Sequence, residues 1–296
     1  MAGRGGLYHS GVTRPIAAVA AALLLAVTFA LADGGAAGTG QEGPIPDPSA
    51  TLPVPSDADL AAARAAVAKT PADPGARFRL GSLLYAAGKK EDAAKELERA
   101  IAIGPANEAR LMNLAIVQAD LLRFADATAT YERLLKLAPA QPRALNNLGN
   151  IALRQGDTAK AAEFYTRAVA ADPGYVMARY KLGYTLQALN RRSEAVAAFE
   201  MVLEREPATE YEQSIRLDAL AQIGQAALAD GAWDAAIRIL TEVAQADPEH
   251  PFAHHALGQA LIHAGRVDEG RQELQRHFEI QARRLATAVA ADTAAP

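Results

Sequence analysis

Five of the six histidines fall in one stretch near the end of the chain: His250, His254, His255, His263 and His277. Imidazoles this close could hold a transition metal. That chemistry needs three or four ligands converging at about 2 Å, with hydrogen-bonded support behind them. The spacing argues against it. No HExxH pattern is present, Glu249 directly precedes His250, and Pro251 interrupts the run. His250 reads as a turn residue, His254 as a core residue and His277 as a packed one. No nucleophile motif, phosphate-binding glycine loop or plausible carboxylate dyad stands out. The acidic pairs Glu91-Asp92 and Glu96/Glu98 read as solvated helix faces, and Trp233 as a packing residue. The chain has no cysteine, which removes disulfides, thiol chemistry and an N-terminal lipidated cysteine. The expectation is therefore a protein with no catalytic residues, no cofactor and no metal. An enzyme or metalloprotein built on the histidines is the opposing reading.

The elements that position these residues announce themselves by period. Gly81, Ala115, Gly149, Gly183, Gly224 and Gly258 are separated by 34 residues, except for one step of 41. Twelve residues behind each lies a second small residue: Ala93, Ala127, Ala161, Ala195, Ala236 and Gly270. Pro71, Pro105, Pro139, Pro173, Pro207 and Pro248 keep the same rhythm. A period in this range marks stacked helical hairpins. In the unit after Pro139, Arg143 to Arg154 form one helix with Leu145, Leu148 and Ala152 on a face. Gly156-Asp157 turn the chain, and Thr158 to Ala171 form a second helix presenting Ala161, Tyr165 and Ala168. The small residues let the two helices approach closely, and the proline stops the second helix.

Composition agrees. Half of the 296 residues are apolar and 5% are aromatic, which suits close-packed helices more than sheet. The net charge of −4 lacks the footprint of a nucleic-acid binder. Arg4 and Arg14 precede an apolar run from Ile16 to Leu31, and Ala30-Leu31-Ala32 supplies a small-x-small site. This reads as an export signal over residues 1–32 cleaved after Ala32, with an uncleaved membrane anchor as the alternative. Localisation is then periplasmic or secreted. Asp33 to Pro55, rich in Gly and Pro, reads as a flexible linker. The repeat region is expected over 56–291. It comprises a capping helix at 57–69 with Ser56 as its cap, six repeats from about 74 to 282, and a C-terminal helical cap carrying Leu274, Phe278, Leu285 and Val289. Residues 292–296 are expected to be a frayed tail. The seven extra residues Ala208 to Ser214 equal about two helical turns, so they are expected to lengthen a helix.

These residues resemble the tetratricopeptide repeat (TPR) family. Its Leu-Gly, bulky, Ala, aromatic, Pro pattern appears as Leu80-Gly81, Leu84, Ala93, Leu97 and Pro105. It appears again as Leu148-Gly149, Ala161, Tyr165 and Pro173, and as Leu182-Gly183, Leu186, Ala195, Phe199 and Pro207. Ala115 for glycine and Gly270 for alanine depart from it, and no unit has tryptophan at the first large position. The resemblance implies an all-α fold, a right-handed α-solenoid of stacked helix-turn-helix hairpins whose first helices line a concave groove. It places Arg79, Asn113, Asn147, Lys181 and Gln222 along one track of that groove. Phe78, Tyr85, Met112, Asn146, Asn150, Tyr180 and Tyr184 lie beside them, and His255 and His263 face it as well. Amide side chains both donate and accept, so such a track could hold an extended peptide by its backbone. A basic clamp for chaperone tails is not matched, since Phe78 stands where a cation is needed. The resemblance implies a scaffold or adaptor for a protein or peptide partner, of the kind that assists complex assembly in bacterial envelopes. Nucleic acid is not expected as a partner, a membrane only through an uncleaved anchor, and a homo-oligomer is open. The alternatives are a self-assembling strut or an accessory factor for cytochrome c maturation or polysaccharide export.

Overall fold

The computed structural model describes residues 54–250 and 252–293. The expected export segment, the linker up to residue 53 and residues 294–296 lie outside them. The described residues form thirteen helices and no strand. Two compact units divide after Leu137. The first holds α1 (Asp57–Lys69), α2 (Pro74–Ala86), α3 (Lys90–Ile103), α4 (Glu108–Asp120) and α5 (Phe124–Leu137). The second holds α6 (Pro142–Arg154), α7 (Thr158–Ala171), α8 (Val176–Ala188), α9 (Arg192–Leu203), α10 (Glu210–Ala229), α11 (Trp233–Ala246), α12 (Ala253–His263) and α13 (Val267–Thr293). In each unit successive helices pair as antiparallel hairpins, and the second helix of one packs on the first helix of the next. The fold is all-α, of the solenoid class.

One contact recurs inside the hairpins. A Cβ added at Gly149 would lie 2.6 Å from the Tyr165 ring, at Gly183 2.5 Å from Phe199, and at Gly224 2.7 Å from Leu240. Gly81 meets Leu97 and Gly258 meets Leu274 in the same way, each at 2.8 Å. Tyr165, Leu97 and Leu240 are fully buried, so none can swing aside. A larger residue on the first helix would force the pair apart, at about 1–3 kcal/mol. The departure at Gly270 has its reason here. A Cβ there would lie 2.7 Å from the Gly258 carbonyl and 2.6 Å from Ile262, so the last hairpin crosses glycine to glycine.

Helix ends follow local chemistry. Ser56 Oγ accepts from the Asp59 N–H, while the Asp59 carboxylate accepts from the Ser56 N–H, closing a capping box on α1. Pro74 and Pro142 open α2 and α6, where a missing N–H costs nothing. The seven added residues join α10, which has 20 residues where the other first helices have 11 to 13. Thr209 caps it by accepting from the Glu212 N–H. At the far end, the place of the helix-stopping proline is taken by Ala282, and α13 runs on to 27 residues. It includes Asp292 and Thr293, two residues beyond the expected boundary.

The turns inside the hairpins need one left-handed residue each. Gly88, Gly156, Gly231 and Gly265 supply it, with φ between 75° and 83°. Two hairpins place Leu122 and Asn190 there instead, both at φ 59°. Asparagine tolerates this region, whereas leucine pays the left-handed penalty while its side chain stays 63% exposed. Leu122→Gly is therefore expected to raise stability by about 1 kcal/mol, read as a higher urea midpoint; an unchanged or lower midpoint would contradict the strain.

Candidate functional site

The inner-face residues expected from the sequence are largely engaged with one another. In the first unit Arg79 is exposed, but Phe78, Tyr85, Met112 and Asn113 are buried. Asn113 Nδ2 donates to Ser82 Oγ at 3.2 Å and Tyr85 Oη donates to Asp120 at 2.7 Å. Both bonds join α2 to α4. Lys90 reaches the same aspartate at 3.2 Å.

The second unit repeats the theme more densely. Asn147 Oδ1 accepts from Asn146 at 3.3 Å and from Asn150 at 3.4 Å. Asn150 Oδ1 accepts from Tyr165 Oη at 2.7 Å and from Lys181 Nζ at 2.9 Å. Tyr165, whose ring fills the notch at Gly149, thus hands its hydroxyl to the next residue of that helix, which in turn reaches α8. Tyr180 Oη donates to Asp218 at 3.0 Å, Gln222 Nε2 donates to Tyr184 Oη at 3.1 Å, and Gln187 Nε2 donates to Gln222 Oε1 at 3.0 Å. The rings of Tyr180, Tyr184 and Phe199 meet edge to face at 4.9, 5.2 and 6.4 Å. Desolvation raises the ionisation of the Tyr165 and Tyr180 phenols far above its usual range and pushes Tyr184 up to about 12. All three stay neutral and serve as hydrogen-bonding groups. These residues stitch consecutive first helices together.

The histidines disperse. His250 Nε2 meets Asp218 at 3.0 Å, His254 pairs with Glu273 at 2.6 Å, and His255 lies against His277 with ring centroids 5.2 Å apart. His263 stacks on Trp233 at 4.7 Å and 13°. Among the described residues, no group of three or more His, Cys, Asp or Glu is placed to hold a metal ion.

Open space lies elsewhere on the same face. In the second unit a cleft of about 690 Å³ is bounded by the end of α8, the start of α9, the second half of α10, Trp233 and α12. Its apolar floor is Ala195, Val196, Phe199, Ala226 and Leu228. Its polar wall is Gln187, Asn190, Gln222, Gln225, Gln259 and His263. No carboxylate lines it, and Arg192 on the rim is paired with Asp230 at 3.0 Å. Gln222 and His263 alone belong to the residues expected to face the groove. Gln225 and Gln259 have no side-chain partner among the described residues, so their amides are available. The sequence held the signal for both. They follow Gly224 and Gly258 as Asn150 and Tyr184 follow Gly149 and Gly183. Gln187 lies four residues after Gly183, as Tyr85 does after Gly81.

Two family models described as tetratricopeptide repeat match the chain, one over residues 57–108 and 112–176, the other over 152–217 and 227–291. Comparison of the sequence with curated proteins gives no match. Among solved structures, the chain is similar to YrrB, described as a TPR protein with an unusual peptide-binding site. The two share 20% identity over 67% of this chain and 99% of YrrB, with a TM-score of 0.55. It is similar to a tetratricopeptide repeat protein from Parabacteroides merdae (19% identity, 70% and 79% coverage, TM-score 0.55). It is also similar to MamA from Desulfovibrio magneticus (18% identity, 60% and 98% coverage, TM-score 0.51). These likenesses establish the fold. No helix among the described residues is long and apolar enough to cross a membrane.

The raised Tyr184 phenol carries a sign. Its ionisation is suppressed in the fold, so its contribution to stability is complete below the ordinary value of 10.0 and is lost as pH rises through about 12. Alkaline titration should therefore lower the thermal midpoint over that interval, less steeply in Tyr184→Phe. Superimposable profiles would place the phenol in water.

Proposed function

This chain belongs to the tetratricopeptide repeat family, and on that premise we propose that it is a non-enzymatic adaptor that receives a segment of a partner protein in the cleft of its second unit. The observation that carries this reading is the hollow of about 690 Å³ whose glutamines Gln225 and Gln259 keep unpaired amides above an apolar floor. An extended segment offers N–H and C=O groups to such amides and a side chain to such a floor. YrrB, described as having a peptide-binding site, lends support by its similarity. The stitched residues Asn113, Asn147, Asn150, Tyr180, Lys181 and Tyr184 hold the inner face in shape, with Phe78, Tyr85, Met112 and Asn146 beneath it. Arg79 adds an exposed cation in the first unit. Arg4, Arg14, the Ile16–Leu31 run and Ala30-Leu31-Ala32 support export with cleavage after Ala32, which makes the site of action the periplasm or the exterior of a bacterium. The Gly/Pro-rich stretch that follows acts as a tether.

A second reading, a strut that assembles with copies of itself, is favoured by Phe278 and Leu285. They are 66% and 67% exposed and lie two turns apart on α13. Sedimentation at rising concentration separates the two readings.

The test of the adaptor uses three baits in the native compartment: wild type, Gln225→Ala/Gln259→Ala, and Ala226→Phe, which fills the hollow. Losing two amide hydrogen bonds is expected to weaken partner capture about tenfold. Ala226→Phe should abolish it with helicity and melting preserved. Undiminished capture by both variants would dispose of the cleft.

A further inference from the structure

Four residues of the first hairpin recur 177 residues later in the last: Pro71, Arg77, Glu96 and Arg99 become Pro248, His254, Glu273 and Arg276. Their bonds recur with them. Arg77 Nε donates to the Pro71 carbonyl at 2.8 Å, and its Nη1 donates to Glu96 Oε2 at 2.7 Å, while Arg99 holds Glu96 Oε1 at 2.6 Å. In the last hairpin His254 Nε2 lies 3.0 Å from the Pro248 carbonyl and Nδ1 2.6 Å from Glu273 Oε2, while Arg276 holds Glu273 Oε1 at 2.6 Å. The histidine occupies the guanidinium's place between the same two oxygens.

A carbonyl oxygen can only accept, so Nε2 carries a hydrogen. Glu273, paired with the permanently charged Arg276 at 2.6 Å, is in the ordinary ionised form of its side chain, so Oε2 accepts as well. Nδ1 then carries a hydrogen too. The His254 and Glu273 side chains are 6% and 13% exposed, which leaves little room for water to take either role. His254 also sits in the first turn of α12, where the helix dipole disfavours a cation, so these two oxygens must hold the charge.

We infer that His254 is an imidazolium that fastens the last hairpin to the end of α11, and that this clasp opens when the proton leaves. The first hairpin has a permanent clasp, because arginine does not lose its charge in proteins. The last has a releasable one. A neutral imidazole donates once, leaving either Glu273 or the Pro248 carbonyl unmatched in a buried site. Other titratable groups on the segments beside it are engaged with partners of their own. From α13 they are Glu273, Arg276 and His277, the last against His255 of α12. From the connection before α12 they are Asp247, which accepts from the Glu249 N–H, Glu249, whose carboxylate meets Arg283 while its carbonyl accepts from Arg284, and His250, bound to Asp218. The inference does not depend on what the cleft binds.

A fold that holds a proton its unfolded chain releases loses stability as pH rises. The experiment compares full-length wild type with His254→Arg between roughly pH 5.5 and 8.5, with nitrogen NMR of the histidine side chains on wild type. The other histidines are common to both proteins and cancel in the difference. Across that range the melting temperature of wild type should fall by roughly 3 °C relative to the arginine variant, and the His254 spectrum at neutral pH should show two protonated nitrogens. Parallel melting profiles, or a single protonated nitrogen at neutral pH, would overturn the inference. The spectrum decides alone should the variant fail to fold.

Discussion

Everything in this molecule rests on a notch and a knob. In five of the six hairpins a residue with no side chain sits opposite a ring or a branched aliphatic group, and in four of the five that group is shut away from water. The distance between the two helices is set there, and the helix axes can differ only as far as that contact allows. The rest inherits its geometry. Where Tyr165 is the knob, its hydroxyl emerges beyond Gly149 and meets Asn150, so the core contact ends in the polar layer of the inner face. The packing of one hairpin and its junction with the next are thus parts of one chain of contacts.

That polar layer shows how position and role come apart. A helix period says which residues share a face; it does not say whether they look outward or toward each other. Asn150 was legible as an inner-face amide, but its carbonyl is taken by Tyr165 and by Lys181, which comes from 31 residues further on. No local pattern encodes that meeting. It depends on the lysine's reach across the gap between successive first helices, which the knob and notch determine. The repeat itself was readable because each of its requirements falls on a single residue at a fixed interval. The lengthened α10 was readable for a related reason, since seven residues return a helix nearly to its starting face. The hollow was harder to see. It depends on side-chain volume missing at several places at once, although Gln225 and Gln259 at its wall keep the same register as Asn150 and Tyr184.

The arrangement at the histidines follows the same logic. A cluster in the sequence suggested shared chemistry, yet each ring is committed to a different neighbour: a carboxylate on α10, a carboxylate on α13, another imidazole, an indole. Because hairpins in a solenoid touch only their neighbours, residues adjacent in sequence but on different faces of α12 serve different seams.

The cleft is the place where this economy of contacts is relaxed. Two residues after the notch glycine, the first three hairpins of the second unit carry Ile151, then Thr185, then Ala226. Ile151 and Thr185 are buried, whereas Ala226 leaves a void and lines it. Such a void within an apolar core would be destabilising in proportion to its size. This one is open at one side and edged with amides, so water can enter it and hydrate the glutamines. A visitor must replace that water without leaving the amides bare, since an unpaired buried amide costs about 1–3 kcal/mol. A purely apolar molecule would satisfy the floor and strand the wall. An extended polypeptide satisfies both, because its backbone alternates donor and acceptor along the wall while one side chain in two turns to the floor. The same feature that makes the hollow tolerable when empty therefore selects what can fill it.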